Sequence, residues 1–131
     1  MTHNTISIHS NQREQFIDIT AAVESALGAN DGDGVVTVFV AHTSAGVTIN
    51  ENADTDVQRD MLAWFTRVVP ADPTFRHAEG NSDAHIKATL VGSSVQVPFH
   101  GGRLMLGRWQ AIYFCEFDGP RDREVTITVS R

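Results

Sequence analysis

The sequence lacks the features that would place the protein outside the cytoplasm. Cys115 is its only cysteine, so no disulfide can form within the chain, as is typical of proteins in reducing compartments. No apolar run reaches the ~18 residues that a membrane-spanning helix needs. The first residues also lack the basic and apolar segments of a signal peptide. We therefore expect a cytoplasmic protein.

An excess of basic residues is missing as well. The formal net charge is −6 at pH 7, which disfavours non-specific binding to nucleic acid or to an anionic membrane. An acidic protein still binds an anionic substrate where a local site or a bound metal provides positive charge. We therefore expect neither nucleic acid nor membrane among the partners.

What is present is the composition of a globular domain. Hydrophobic residues make up 41% of the 131 residues, an ordinary fraction for a folded protein. No linker, internal repeat or low-complexity tract divides the sequence, so we expect one domain over residues 1–131. A chain of this length buries a core without disulfides or structural metals.

Local patterns predict an α+β fold with a mainly antiparallel sheet. Apolar runs predict strands at 6–8, 16–19, 35–41, 47–50, 95–97, 109–117 and 125–129. Helical spacing of apolar residues predicts two to three helices, at 20–27, 57–68 and 84–90. Segment 35–41 is apolar on both faces, so we expect cover on both. Segment 109–117 is also apolar on both faces, and covering both faces would need a second sheet or a partner subunit.

Capping and turn residues set the expected limits of these elements. Thr20 and Asn52 are expected to cap the first two helices, and Ser82 or Asp83 the third. The remaining signals are a C-cap at Gly28, helix ends near Pro70 and Gly92, and turns at Asp31–Gly34 and Gly101–Gly102.

The segment from His77 to His85 has the pattern that most suggests chemistry. Gly80 lies between the two histidines and allows a tight turn, so the two imidazoles could converge. His85 is expected in the first turn of a helix, where the positive end of the dipole keeps it neutral and able to bind a metal. Asp83 would cap the helix or orient a histidine. From spacing alone, a solvated loop with two histidines is an equal alternative.

A second group of polar residues follows the strand at 35–41. His42 is a candidate metal ligand or general base, and Thr43 and Ser44 could hold a phosphate together with backbone N–H groups. The segment is not a Walker loop, because it lacks Gly-Lys-Ser/Thr. It is not the G-x-S-x-G of a nucleophile elbow either. A polar turn between two strands is the alternative.

Charged and polar residues near other strand ends complete the candidates. Glu116 lies either at an exposed strand end or in a partly buried position, where burial would raise its pKa and suit acid–base chemistry. Asn50 and Glu51 precede a helix cap and are free to face a site. Arg121 and Arg123 follow the turn after Glu116 and are available to bind an anion.

Four blocks of the sequence resemble the YjbQ family. They are His42-Thr-Ser-Ala-Gly-Val-Thr-Ile-Asn-Glu-Asn-Ala-Asp54, Gly80-Asn-Ser-Asp-Ala-His-Ile-Lys-Ala88, Leu106-Gly-Arg-Trp-Gln110 and Tyr113-Phe-Cys-Glu-Phe117. The resemblance implies a sandwich of mainly antiparallel sheets with two to three helices, assembled as a homotrimer. It also implies weak thiamin-phosphate synthase activity, in which a pyrimidine methyl diphosphate joins a thiazole phosphate and pyrophosphate is released.

The working hypothesis is a metal-assisted enzyme that acts on a small molecule bearing a phosphate or diphosphate. The resemblance implies three candidate metal ligands, His42, His77 and His85. Such a set suits zinc, whereas the phosphate chemistry keeps magnesium possible. The expected catalytic residues are Glu116, Asn50 and Asp83. The expected substrate or phosphate contacts are Thr43, Ser44, Asn81, Gln110 and Arg121.

Two other functions remain open from the sequence. A metal-dependent phosphatase or other hydrolase would use the same residues. A non-catalytic binding module would hold a phosphorylated metabolite without turning it over. A purely structural trimer would leave the grouping of histidine, asparagine and acidic residues unexplained.

Overall fold

The computed structural model describes residues 2–28 and 32–131 of the chain. In this part of the chain there are eight strands and three helices. The strands are β1 (Thr2–His9), β2 (Gln15–Asp18), β3 (Asp33–Val40), β4 (Ala45–Glu51), β5 (Ser94–His100), β6 (Arg103–Leu104), β7 (Gln110–Glu116) and β8 (Asp122–Ser130). The helices are α1 (Thr20–Ser25), α2 (Thr55–Val68) and α3 (Ser82–Val91).

The strands form two antiparallel sheets, a five-stranded sheet ordered β1-β8-β3-β5-β6 and a three-stranded sheet ordered β2-β7-β4. Their inner faces share one core, to which Val38 contributes from the larger sheet and Phe114 from the smaller. On its other face, the smaller sheet packs against Phe65 of α2 and Ala84 of α3. The predicted α+β class with antiparallel sheets and two to three helices is confirmed, and the described chain has three helices.

The two apolar faces of β7 follow from its central place in the smaller sheet. Ile112 and Phe114 belong to the core between the sheets, whereas Tyr113 and Cys115 belong to the core beneath the helices. All four side chains are buried. The second sheet that the sequence suggests is therefore present within the chain.

Strand β3 is central in its sheet, but the chain covers only one of its faces. Val36 and Val38 are fully buried, whereas Val35 and Phe39 are 41% and 44% exposed. The expectation of cover on both faces is therefore wrong for the single chain. Successive side chains of a strand point to opposite faces, and the outer face of this sheet has no further layer over it in the described chain.

The cap of α2 differs from the prediction. Asp54 occupies the N-cap position, and its Oδ1 accepts a hydrogen bond from the backbone N–H of Asp56 at 2.9 Å. Asn52 lies before the helix, where its N–H donates to the carbonyl of Trp109. The prediction of Asn52 as the cap is wrong because Asp54, two residues later, offers the same chemistry closer to the first helical residue.

The limits of α1 and α3 also shift by a residue or two. Thr20 is the first residue of α1 and its hydroxyl donates to Asp18, so it does not cap the helix. Ala26, not Gly28, is the C-cap residue. Asn81 occupies the N-cap position of α3, ahead of both predicted candidates.

The turn predictions are confirmed at some positions and wrong at others. Gly92 caps the end of α3 and Gly101–Gly102 forms a turn, as predicted. Asp31 lies outside the described residues, whereas Asp33 and Gly34 belong to β3. None of the helices in the described chain is long and apolar enough to cross a membrane.

Candidate functional site

A polar pocket of about 470 Å³ lies where β3 ends and where α3 and β8 begin. We call it the histidine pocket. Its lining residues are Ala41, His42, Thr43, Ser44, His77, Glu79, Asn81, His85, Arg121 and Arg123. The structure thus brings together all three candidate histidines and four of the five expected phosphate contacts.

His85 is held by a backbone contact that defines its chemistry. Its Nδ1 lies 2.8 Å from the carbonyl oxygen of Thr43, and a carbonyl accepts only, so Nδ1 carries a proton. In the neutral ring Nε2 then has a free lone pair, which makes it a base or a metal ligand. The His77 ring lies beside it, with centroids 5.5 Å apart.

The ring of His42 accepts a hydrogen bond from the backbone, whereas the ring of His85 donates one. Strand β3 ends at Val40, which pairs with Val125 of β8. His42 follows two residues later, and its imidazole contacts β8 at Glu124, the residue before Val125. The Nε2 of His42 accepts the hydrogen bond from the backbone N–H of Glu124 at 3.0 Å. Since Nε2 is occupied as an acceptor, the proton of the neutral ring sits on Nδ1.

These contacts bear directly on the predicted metal centre. Neutral His42 offers no free lone pair in this arrangement, and His77 pairs loosely with Glu79 at 3.8 Å. Within residues 2–28 and 32–131, no group of three His, Cys, Asp or Glu side chains is arranged to hold a metal ion. The arrangement therefore does not fit a zinc site formed by the three histidines, and we derive no chemical step through a metal.

Glu116 is fully buried behind the pocket and does not line it. Arg123 donates to it from Nε at 2.9 Å and also from Nη2, and the Ser10 hydroxyl donates at 2.7 Å. Burial alone would raise the pKa of Glu116, but these bonds and one from the N–H of Asp118 outweigh it and lower the pKa. An ionised carboxylate with four donors suits the positioning of Arg123 better than acid–base work.

Arg123 is one of the arginines available to bind an anion, but the sequence predicts Arg121 as the phosphate contact. Arg123 is 5% exposed, and its Nη2 also donates to the Ser44 hydroxyl at 2.9 Å. Its Nη1 has no hydrogen-bond partner in the described part of the chain, although the residue lines the histidine pocket. Its alternation with Val125 and Ile127 on the buried face of β8 was the signal that marked it as a buried cation.

Asn81 and Arg121 are joined by a shared carboxylate. The Nδ2 of Asn81 donates to Asp118 at 2.7 Å, and Nη2 of Arg121 donates to the same oxygen at 3.0 Å. Because a carboxylate accepts only, this contact fixes which end of the Asn81 amide is the oxygen. That oxygen, Oδ1, is buried and has no partner among the described residues, so it is available to a ligand or a water molecule.

Asp83 is buried outside the pocket. Its two oxygens accept from Nη1 and Nη2 of Arg13, each at 3.1 Å, and Lys87 donates to it at 3.1 Å. Desolvation would raise its pKa, but the hydrogen bonds from both cations lower it. Lys87 also pairs with Glu14. The network ties the start of α3 to the loop between β1 and β2, so Asp83 supports the pocket without facing it.

Asn50 and Gln110 lie at the other end of the smaller sheet. The pairing of β4 with β7 places Ala45 opposite Glu116 and Glu51 opposite Gln110. At ~3.3 Å per residue, Asn50 is roughly 20 Å along β4 from Ser44. The structure of the single chain therefore does not bring these two expected site residues to the histidine pocket.

Comparisons with known proteins place the chain in a family. Residues 4–131 match the family described as UPF0047 protein YjbQ-like. The chain is 50% identical over 125 residues to the UPF0047 protein YugU of Bacillus subtilis, covering 94% of this chain and 95% of that protein. It is 46% identical over 123 residues to the UPF0047 protein MJ1081 of Methanocaldococcus jannaschii, covering 93% and 89%.

Solved structures give the same answer. A YjbQ/UPF0047 family protein from Clostridium acetobutylicum superimposes with a TM-score of 0.91 at 49% identity, over 97% of this chain and 99% of that one. The conserved hypothetical protein TT1486 from Thermus thermophilus also gives a TM-score of 0.91, at 41% identity and the same coverage. The chain therefore belongs to the YjbQ/UPF0047 family.

Proposed function

We propose that the histidine pocket binds the phosphate or diphosphate of a small molecule and that the protein is an enzyme acting on it. One observation carries this proposal. The buried guanidinium of Arg123, whose Nη1 has no hydrogen-bond partner among the described residues, lines the same pocket as His85, whose neutral ring has a free lone pair on Nε2. An anion site beside a base is the basic requirement of phosphate-ester and diphosphate chemistry.

Several groups in the pocket support anion binding. Arg123 offers two N–H donors from Nη1, in a position that Glu116 and Ser44 hold fixed. The N-cap of α3 is Asn81, so the positive end of that helix dipole lies at the pocket wall. The hydroxyls of Thr43 and Ser44 add further donors. These donors would bind a phosphate by hydrogen bonds, since both arginines of the pocket are already paired with carboxylates.

In a thiamin-phosphate synthase-like reaction, as the family resemblance implies, these donors would stabilise the departing diphosphate. Arg121 and Arg123 would take up the charge that develops on its oxygens. His85 would accept or return a proton at Nε2, and its bond to Thr43 would keep the ring oriented while it does so. We expect the activity to be weak, because the pocket is open and water has access to it.

That same openness supports hydrolysis as a second candidate. The side chains of His77 and Glu79 are 44% and 66% exposed, so water has access to the pocket that His85 lines. A base beside a bound phosphate and an accessible water molecule is the arrangement a phosphatase needs. The third possibility, a binding module, is an outcome of the test below.

We also keep the metal, the trimer and the cytoplasmic location as proposals. Zinc or magnesium would have to reach His77 and His85 without His42 unless the Glu124 N–H released its imidazole. The exposed Val35 and Phe39 on β3 support a homotrimer, since a partner subunit would cover them. The single buried cysteine agrees with a reducing location.

The test compares turnover of the two thiamin precursors with turnover of a panel of simple phosphate esters. We expect wild-type activity to fall at least about a hundredfold in His85→Gln, because general acid–base catalysis is worth ~10²–10⁴-fold. Arg123→Lys should weaken phosphate binding, because lysine loses the forked contact with Glu116. Phosphate binding without turnover, unchanged in His85→Gln, would leave only the binding module.

A further inference from the structure

A second pocket of about 370 Å³ lies on the other side of His85. We call it the Thr89 pocket. It shares three lining residues with the histidine pocket, namely His42, Thr43 and His85. Its remaining lining residues are Ala45, Ala88, Thr89, Gly92 and Ser93. The two pockets therefore adjoin, and His85 is one of the residues that line both.

The chemistry of the Thr89 pocket differs from that of its neighbour. Apart from the two histidines, its lining in the described chain contains no carboxylate, lysine or arginine. The other side chains are hydrogen, methyl or a small hydroxyl, and the Thr89 hydroxyl is already bonded to the carbonyl of His85. Such a surface accepts an uncharged group and offers little to an ion.

We propose that the Thr89 pocket receives the uncharged organic part of the ligand whose phosphate lies in the histidine pocket. This inference rests on the proposed function of that pocket. A cavity of about 150 Å³ holds a benzene ring, so the Thr89 pocket has room for an aromatic ring or a short alkyl group. The ligand class is a phosphate ester of an uncharged ring or alkyl alcohol, with the reacting bond beside Nε2 of His85.

A third pocket, about 550 Å³, is the rival place for the organic part. It lies past His42 and is lined by Arg123 and by two carboxylates, Asp122 and Glu124. Because the guanidinium of Arg123 is already paired with Glu116, the two carboxylates would favour a cationic group. His85 does not line this pocket, so a ligand that extended into it would leave its reacting bond away from the base. Because His85 lines both the histidine pocket and the Thr89 pocket but not the third pocket, we place the organic part in the Thr89 pocket.

The test uses phosphonates, which the protein cannot hydrolyse. Isothermal titration compares methylphosphonate, phenylphosphonate and 2-aminoethylphosphonate on the wild-type protein. We expect phenylphosphonate to bind about tenfold more tightly than methylphosphonate, because burial of roughly 60 Å² of apolar ring surface has that effect. Tighter binding of 2-aminoethylphosphonate instead would assign the organic part to the carboxylate-lined pocket and overturn the inference.

A pair of variants on α3 gives the matched control. Thr89→Trp fills the Thr89 pocket from an exposed position, whereas Leu90→Trp adds the same ring at the next residue, which is 59% exposed and lines neither pocket. We expect Thr89→Trp to abolish the preference for phenylphosphonate and to leave methylphosphonate binding unchanged. Leu90→Trp should change neither.

The two proposals fail in different ways. If no phosphonate binds to the wild-type protein, the anion site itself is wrong. If methylphosphonate binds but the phenyl group adds nothing, or if Thr89→Trp keeps the preference, the anion site stands and the Thr89 pocket is not the site of the organic group.

Discussion

The carboxylate of Glu116 and the guanidinium of Arg123 form a buried, two-point ion pair in which both side chains are at most 5% exposed. The pair joins two strands of different sheets, β7 and β8. It holds Arg123 at the pocket wall, where Nη2 donates to Ser44 and Nη1 has no partner within residues 2–28 and 32–131. The pair therefore couples the stability of the fold to the anion site.

Glu116→Gln should test that coupling. Removing one charge from a buried pair leaves the other uncompensated, at a cost of ~3–5 kcal/mol. We expect a loss of about 3 kcal/mol in the free energy of unfolding, measured by urea denaturation, and weaker binding of phosphate. The control is Arg59→Ala, which breaks an exposed pair with Asp56 and should cost at most ~1 kcal/mol. Equal, small losses in both variants would contradict the prediction.

Stability should fall with acidification in a defined pH range. Glu116 and Asp83 have folded-state pKa values below their ordinary values of 4.5 and 3.8, because hydrogen bonds, chiefly from Arg123 to Glu116 and from Arg13 and Lys87 to Asp83, outweigh desolvation. Their contribution to stability is therefore complete above the ordinary pKa and is lost as the pH falls through the folded-state pKa.

Urea denaturation at several pH values from 7 to 3 measures this loss. We expect a plateau in the free energy of unfolding down to roughly pH 5, followed by a fall that steepens below it. Asp83→Asn should be less stable at pH 7 and show a shallower fall. A wild-type stability that rose between pH 5 and 3 would have the wrong sign for both groups.

The metal hypothesis has its own prediction. Because the Nε2 of His42 is occupied by the Glu124 N–H, zinc binding to the untagged protein should depend on His85 and His77 more than on His42. We expect weak binding, since no three-ligand set is preformed in the described chain. Titration of zinc into the wild type and the three single alanine variants measures this. Tight, stoichiometric zinc that only His42→Ala abolishes would show that the His42 contact rearranges.

The cap of α2 can be tested by a matched pair. Asp54→Ala removes the side chain that accepts from the N–H of Asp56, which should cost about 1 kcal/mol of unfolding free energy. Asn52→Ala, two residues earlier, should cost much less, because the hydrogen bond of Asn52 in the described chain runs from its backbone N–H to the carbonyl of Trp109, and the alanine variant keeps that bond. A larger loss of stability in Asn52→Ala than in Asp54→Ala would support Asn52 as the helix cap, as the sequence predicts.

The fold was largely predictable because its patterns are local. The alternation of apolar and polar residues along β8 and the apolar runs of β3 and β7 indicate which side chains are buried. Each of these patterns lies within a segment of fewer than ten residues. The exposed outer face of β3 was not predictable, because an apolar run does not show whether its second cover comes from the same chain. Caps failed by one or two residues where neighbouring Asn, Asp, Ser or Thr competed for one position.

The site was predictable only in part, for a related reason. His42 and His85 lie at element ends, where local reasoning looks for function, and the structure brings them together. The role of Glu116 depends on Ser10 and Arg123, which come from distant or separately paired segments. Asn50 belongs to β4, which begins next to the site, but only the pairing of β4 with β7 shows that Asn50 lies at the far end.

Gly119 packs against Ser10 and Glu116, so a substitution there tests whether these residues hold Arg123 in place at the pocket. A Cβ at this position would lie 2.2 Å from the carbonyl of Gln12, 2.7 Å from the Ser10 hydroxyl and 2.9 Å from Cγ of Glu116. Backbone and a buried ion pair cannot give way as a flexible side chain does, so Gly119→Ala should destabilise the protein by ~1–3 kcal/mol.

The displaced Glu116 should also disturb Arg123, so Gly119→Ala should weaken phosphate binding beyond its effect on folding. Gly107→Ala is the matched control, because its Cβ would meet only the end of the Gln110 side chain, at 3.1 Å. Thermal unfolding and phosphate titration of both variants separate the two effects. If Gly119→Ala unfolds earlier yet binds phosphate like the wild type, the ion pair supports the fold without setting the position of Arg123 at the pocket.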